Sequence, residues 1–218
     1  MLNEFLFDGP DTAAFTILLA HGAGAPMDSG AMTAMAQSLS DSGFRVVRFE
    51  FAYMRARRDG KSRRPPPKAD FLKDEYLAAI TELGAKTPLI IGGKSMGGRV
   101  ASMIADDLHR AGTIAGLLCL GYPFHPPGKP EQPRTAHLEA LTTPTLICQG
   151  TRDPFGTPDD VAGYVLSKQI ELLWLDDGDH DLKPRKRLSG FSAADHLQTI
   201  SLKVSAWARA LPERHRAQ

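Results

Sequence analysis

The chain has 218 residues, of which 42% are hydrophobic and 23% charged, and its net charge is +1. This is enough for one folded core of ordinary globular composition, and a single domain over 1–218 is expected. A charge this small gives no global pull toward nucleic acid or an anionic membrane, and no apolar run is long enough to cross a bilayer.

The opening residues, Met1 to Phe7, have no basic start, and their apolar stretch is too short for a secretory leader, so a cytoplasmic location is expected. Residues 4–7 form a short candidate edge strand. Apolar, often β-branched runs then recur at 15–19, 44–49, 88–91, 114–120, 145–148 and 170–174. Most are continuous rather than alternating, as in parallel strands covered on both faces. Between them lie helical faces: Met32, Met35, Ala36 and Leu39; Leu72, Ala79, Ile80 and Leu83; Val100, Met103, Ile104 and Leu108; and a last stripe of Leu197, Ile200, Val204, Trp207 and Leu211. Alternation of this kind predicts an α/β fold, a doubly wound and mostly parallel sheet with helices on both faces. Ligands of such sheets bind beyond the carboxyl ends of the strands.

Cys119 and Cys148 stand inside strand-like runs and read as reduced core residues. No histidine or cysteine pair has zinc spacing, so no metal and no other cofactor is expected. Two long loops interrupt the alternation. Residues 52–68 carry Arg55, Arg57, Arg58, Lys61, Arg63 and Arg64 before a Pro65-Pro66-Pro67 run and Lys68 after it, and residues 121–134 are proline-rich. Neither is long enough to be a cap domain.

After the third parallel run stands Gly93-Lys94-Ser95-Met96-Gly97. A serine among small residues, where a strand turns sharply into a helix, is a nucleophile elbow, whose strained backbone projects the hydroxyl above the sheet. Two other readings of these letters and of the early glycines fail. A phosphate-binding P-loop needs glycine five residues before Gly93, where Pro88 stands. A dinucleotide fingerprint starting at Gly22-Ala23-Gly24 needs glycine or alanine at 27, where Met27 follows Pro26.

A serine nucleophile needs a base, and the base needs an orienting carboxylate; in this fold they follow in the order serine, acid, histidine. Asp153 lies just after the run at 145–148, and His180 just after the run at 170–174. Ser95, Asp153 and His180 are the candidate triad. Asp176, Asp177, Asp179 and Asp181 compete for the acid role but read as turn formers beside His180. His125 is the alternative base and reads better as a pocket residue. His21 reads as structural, and His109, His137, His196 and His215 as surface residues. An oxyanion needs two pre-aimed amides. Met96 supplies one, and the loop His21-Gly22-Ala23-Gly24 the other, with Ala23 favoured and Gly22 or Gly24 as alternatives.

These motifs resemble those of the α/β-hydrolases. More narrowly, they are similar to a compact, cap-less branch with His-Gly-Ala-Gly after an early strand (21–24), Gly-Lys-Ser-Met-Gly-Gly-Arg at the elbow (93–99) and Gly-Tyr-Pro-x-His-Pro-Pro-Gly-Lys-Pro (121–130). The branch includes predicted bacterial hydrolases and is similar to animal proteins of the NSL-complex-subunit and testis-expressed types. The resemblance implies a cap-less α/β-hydrolase fold with the triad just named.

The expected function is cleavage of a small carboxylic ester or thioester through an acyl-enzyme. Gly22, Gly24, Tyr53, Tyr122, Phe124, His125 and Phe155 are expected to border the substrate, and the arginines of 55–64 to form a basic rim. The alternative is an interaction module of the same fold that engages a partner through the basic 52–68 segment. Nucleic-acid binding through that segment lacks a recognised scaffold.

Overall fold

The computed structural model describes residues 4–60 and 65–212. Its strands are β1 (Phe5–Asp8), β2 (Thr16–Ala20), β3 (Arg45–Phe49), β4 (Leu89–Lys94), β5 (Gly116–Leu120), β6 (Thr145–Gly150) and β7 (Ile170–Leu175). They form one sheet in the order β1-β3-β2-β4-β5-β6-β7. β1 runs antiparallel to β3 at one edge, and every other pair is parallel. The register brings the strand ends level: Ala20 pairs with Gly93, Lys94 with Leu120, and Gly150 with Leu175.

The continuous apolar runs follow from helices on both faces. Ile17, Leu19, Ile90, Leu118 and Leu146 pack toward α1 (Gly30–Asp41) and α8 (Ala193–Arg209). Their neighbours Leu18, Ala20, Ile91, Leu117 and Ile147 pack on the opposite face, toward α3 (Lys73–Leu83) and α4 (Met96–Ser102). Successive strand residues alternate faces, so a strand covered twice has no position for a solvated side chain. α8 starts with a capping box, in which Ser192 and Asp195 satisfy each other's first-turn amides.

Two expected elements differ. The segment 52–68 is not all loop: Ala52–Arg58 forms α2. Alanine, methionine and arginine are good helix formers, and arginines in the last turn suit the negative end of the helix dipole. Lys61, Arg63 and Arg64 lie outside the described residues. The helix after the elbow is broken, with α4 ending at Ser102 and α5 (Ala105–Arg110) following. Ser102 Oγ donates to Arg99 O at 2.7 Å, and the amides of Met103 and Ile104 bond to Val100 O and Ala101 O, three residues back. Back-bonding and tightening of this kind bend a helix. Three shorter helices complete the set, α6 (Pro158–Ala162), α7 (Lys186–Ser189) and, as above, α5.

Candidate active site

Ser95 stands between β4 and α4 with φ 51° and ψ −115°, in the half of backbone space that side chains avoid. The residues two before and two after it must be glycine. A Cβ on Gly93 would lie 2.4 Å from Ala20 O, and one on Gly97 would lie 2.5 Å from the same oxygen. Tyr76, on α3, pins the strand just before the turn: its hydroxyl lies 2.7 Å from Gly92 O and 2.9 Å from Leu18 O, and it accepts the Gly92 N–H at 2.9 Å. Tyr76 is fully buried, so this contact is shielded from water.

Ser95, Asp153 and His180 meet at the carboxyl edge of the sheet. His180 Nε2 is 2.8 Å from Ser95 Oγ, and His180 Nδ1 is 2.8 Å from Asp153 Oδ2. A carboxylate can only accept, so it holds a proton on Nδ1 and leaves Nε2 free to accept from the serine hydroxyl. Asp153 is completely buried and is held by further donors, Gln149 Nε2 at 2.9 Å and the Phe155 amide at 2.9 Å. Phe155 also covers His180, with ring centroids 4.3 Å apart. Gln149 was not among the expected site residues. Its signal is an amide at the end of an apolar strand, four residues before the acid.

Met96 is the first residue of α4, where amides have no intrahelical acceptor. The loop 21–24 crosses beside it: a Cβ on Gly22 would lie 3.7 Å from Ser95 Cβ. Gly24 is exposed, and a Cβ there would meet nothing. His21 is fully buried and fixes the loop from beneath. Its Nδ1 is 2.6 Å from Gly22 O, and its Nε2 accepts the Phe51 amide at 3.2 Å. One nitrogen donates and the other accepts, so the ring is neutral. Burial pushes its pKa down to about 4, outweighing the Gly22 carbonyl, with Arg58 and Arg57 adding to the fall.

Several expected side-chain roles do not match their places. Tyr122 and Phe124 are fully buried, packed edge to face at 4.9 Å in the core. Their side chains offer no surface to a substrate, because the segment after β5 folds inward. His125 is also enclosed, with Nδ1 2.8 Å from Pro126 O and Nε2 3.4 Å from Asp160 Oδ2. Tyr53 is half-buried and donates to Ala23 O at 3.2 Å, bracing the loop instead of bordering an open wall. The described arginines of the expected basic rim are committed within the molecule. Arg57 Nη1 donates to Ala23 O at 3.4 Å, Arg55 Nη1 to Glu50 O at 3.1 Å, and Arg58 pairs with both Asp28 and Glu50 at 2.9 Å.

The remaining histidines divide. His196 is buried, not a surface residue, and its Nδ1 is 2.9 Å from Leu182 O. His137 Nε2 lies 2.8 Å from Ser102 Oγ, and His215 is outside the described residues. The acidic residues flanking His180 shape its loop. Asp177 accepts from Arg152 and Arg185, which hold its carboxyl well below the usual range, Arg185 contributing most. Asp179 Oδ1 receives the amides of Asp181 and Lys183 at 2.9 Å each. Asp177 and Leu182, on either side of His180, both have positive φ. An open depression beside His180 is bordered by Arg152, Pro154, Asp179 and Asp181. Among the described residues, no helix is long and apolar enough to cross a membrane.

A family model described as "Alpha/beta hydrolase domain" matches residues 13–209. Among solved structures, the chain is similar to a lid-less α/β serine hydrolase from Xanthomonas campestris, with 22% identity, a TM-score of 0.72, and 96% of this chain and 91% of that chain covered. It is also similar to a dienelactone hydrolase from Anabaena variabilis, with 19% identity, a TM-score of 0.71 and coverage of 99% and 93%. An α/β serine hydrolase homologue from Coxiella burnetii matches with 18% identity, a TM-score of 0.68 and coverage of 94% and 90%. At these identities the likeness is one of fold.

Proposed function

The chain belongs to the α/β-hydrolase domain family, and from that premise we propose that it is a serine hydrolase of small carboxylic esters or thioesters. The observation that carries the reading is the unbroken relay from Asp153 through His180 to Ser95, with both links at 2.8 Å. A structural hydroxyl has no need of a base behind it, nor of a backbone at φ 51°.

In this reading Ser95 Oγ attacks the substrate carbonyl carbon while its proton passes to His180 Nε2. Asp153 stabilises the imidazolium and holds its orientation. The Met96 amide and an amide of the loop 21–24, with Ala23 favoured, hold the oxyanion. The carbon–oxygen or carbon–sulfur bond then breaks, and the leaving alcohol or thiol takes the proton from His180. Water repeats the sequence against the acyl-serine and releases the acid. The open ground beside His180 suits a small substrate that needs no lid to enclose it.

A fluorophosphonate probe tests the proposal. Labelling of the wild type at Ser95, mapped by mass spectrometry, with none in Ser95→Ala, is the expected outcome. An unlabelled protein that also hydrolyses nothing in a broad ester and thioester panel would overturn it and favour the interaction module.

A further inference from the structure

Lys94, the residue before the nucleophile, is a lysine whose side chain is largely buried, at 15% exposure, and it is ion-paired with Asp181 Oδ1 at 3.5 Å. A buried ammonium is costly unless its surroundings use it. The position of its head group is marked by Gly121. A Cβ on that glycine would lie 3.3 Å from Lys94 Nζ and 3.5 Å from His180 Nδ1, so the two nitrogens are less than about 7 Å apart. Gly121, with φ 65°, leaves the space through which they face each other. The charge therefore lies within about 7 Å of the nitrogen that links imidazole and carboxylate.

We infer that Lys94 is a positioning residue of electrostatic kind: its ammonium, anchored by Asp181, opposes a second positive charge on His180 and so keeps the imidazole free to accept a proton. The charged groups around that ring are few. Asp153 faces it from the end of β6, Lys94 from β4, and Asp179 and Asp181 flank it on its own loop. Arg152, on the near side, is turned to Asp177. Asp153 favours the imidazolium and Lys94 opposes it, while Asp181 moderates Lys94. Burial lowers the pKa of Lys94, and Asp181, Asp153 and Asp179, the carboxylates around His180, each work against that fall.

The signs make a sharp test. Removing the cation while keeping the length of the side chain, Lys94→Met, should move the acid limb of kcat/KM, or of fluorophosphonate labelling of Ser95, to higher pH. A shift of about half a unit to one unit is expected for a charge at this distance. Asp181→Asn, at a half-exposed position that does not depend on the core, should move the limb the other way. A lysine that merely filled space would lower the rate in Lys94→Met without moving the limb, and neither variant would shift it. Unmoved limbs, or shifts of the same sign, would overturn the inference. Its meaning in turnover rests on the proposed hydrolase reading, but its test does not. The pH at which the His180 imidazole resonances move in NMR spectra reports the same opposite shifts in a protein that hydrolyses nothing. Absent labelling with opposite NMR shifts would sink only the hydrolase reading, and labelling with unmoved resonances only the role of Lys94.

Discussion

The hydroxyl of Tyr53 donates to the carbonyl of Ala23 at 3.2 Å, and this ties the basic segment to the loop beside Ser95. Arg57 reaches the same carbonyl and lies over the Tyr53 ring, its guanidinium carbon 5.3 Å from the ring centroid. The Ala23 carbonyl shares its peptide with the Gly24 amide, and the same hydroxyl lies 3.5 Å from Gly22 O, whose peptide carries the Ala23 amide, so these contacts fix the loop expected to supply an oxyanion donor. Tyr53→Phe keeps the packing on His21 and Phe51 and removes one anchor. Steady-state kinetics should give kcat lowered about tenfold with KM little changed, within the 10²–10³ cost of losing such a donor outright. A rise in KM at constant kcat would instead assign Tyr53 to substrate contact.

Ser95 sits in a backbone region suited to glycine. Ser95→Gly should raise stability by about 1–3 kcal/mol, the ordinary cost of such a conformation, while abolishing turnover. Denaturant titration measures the first and an ester assay the second. A variant that loses activity and gains no stability would show that the elbow is unstrained.

Asp153 accepts on both oxygens, from His180 and Gln149 on one side and from the Phe155 amide on the other. An asparagine must turn its NH₂ toward one of these donors. Facing His180, it forces the proton onto Nε2, the wrong nitrogen for a base. Asp153→Asn should therefore cut kcat about 10⁴-fold, as the wrong tautomer does in serine hydrolases. Retention of more than a tenth of the activity would remove Asp153 from the relay.

His21 links stability to pH. It is neutral in the fold with its pKa pushed down to about 4 from 6.5, so the unfolded chain takes up the proton first as pH falls. Its contribution is present above pH 6.5 and is lost progressively toward pH 4, by about 3 kcal/mol in all. Thermal melts of wild type and His21→Asn should converge as pH is lowered through that window. Parallel curves would mean that the histidine is not the titrating group.

The sheet was legible because a strand covered on both faces must be apolar throughout, and 15–19, 88–91 and 145–148 are so. Ser95 was legible for a related reason: only small residues fit where β4 turns against β2, and the glycines record that crowding. What the letters hid is the direction of side chains in loops. Tyr122 and Phe124 stand among prolines, like a pocket wall, yet turn into the core, because nothing in composition says which way an irregular segment folds. Tyr76 looks like any aromatic on a helix until its hydroxyl is found against Gly92. The arginines of α2 read as a basic rim open to substrate because their acceptors, Glu50 and Ala23, come from other segments.

The contacts that hold Ser95, Asp153 and His180 come from Tyr76, Gln149 and Phe155, and Gln149 and Phe155 are braced in turn by the buried start of the proline-rich stretch, through Tyr122 O and the His125 amide. The exposed residues beyond them, 127–133, are the part left free to drift. A lineage could trade one set of rim residues for another, and with it one diet for another, without ever retuning the engine underneath.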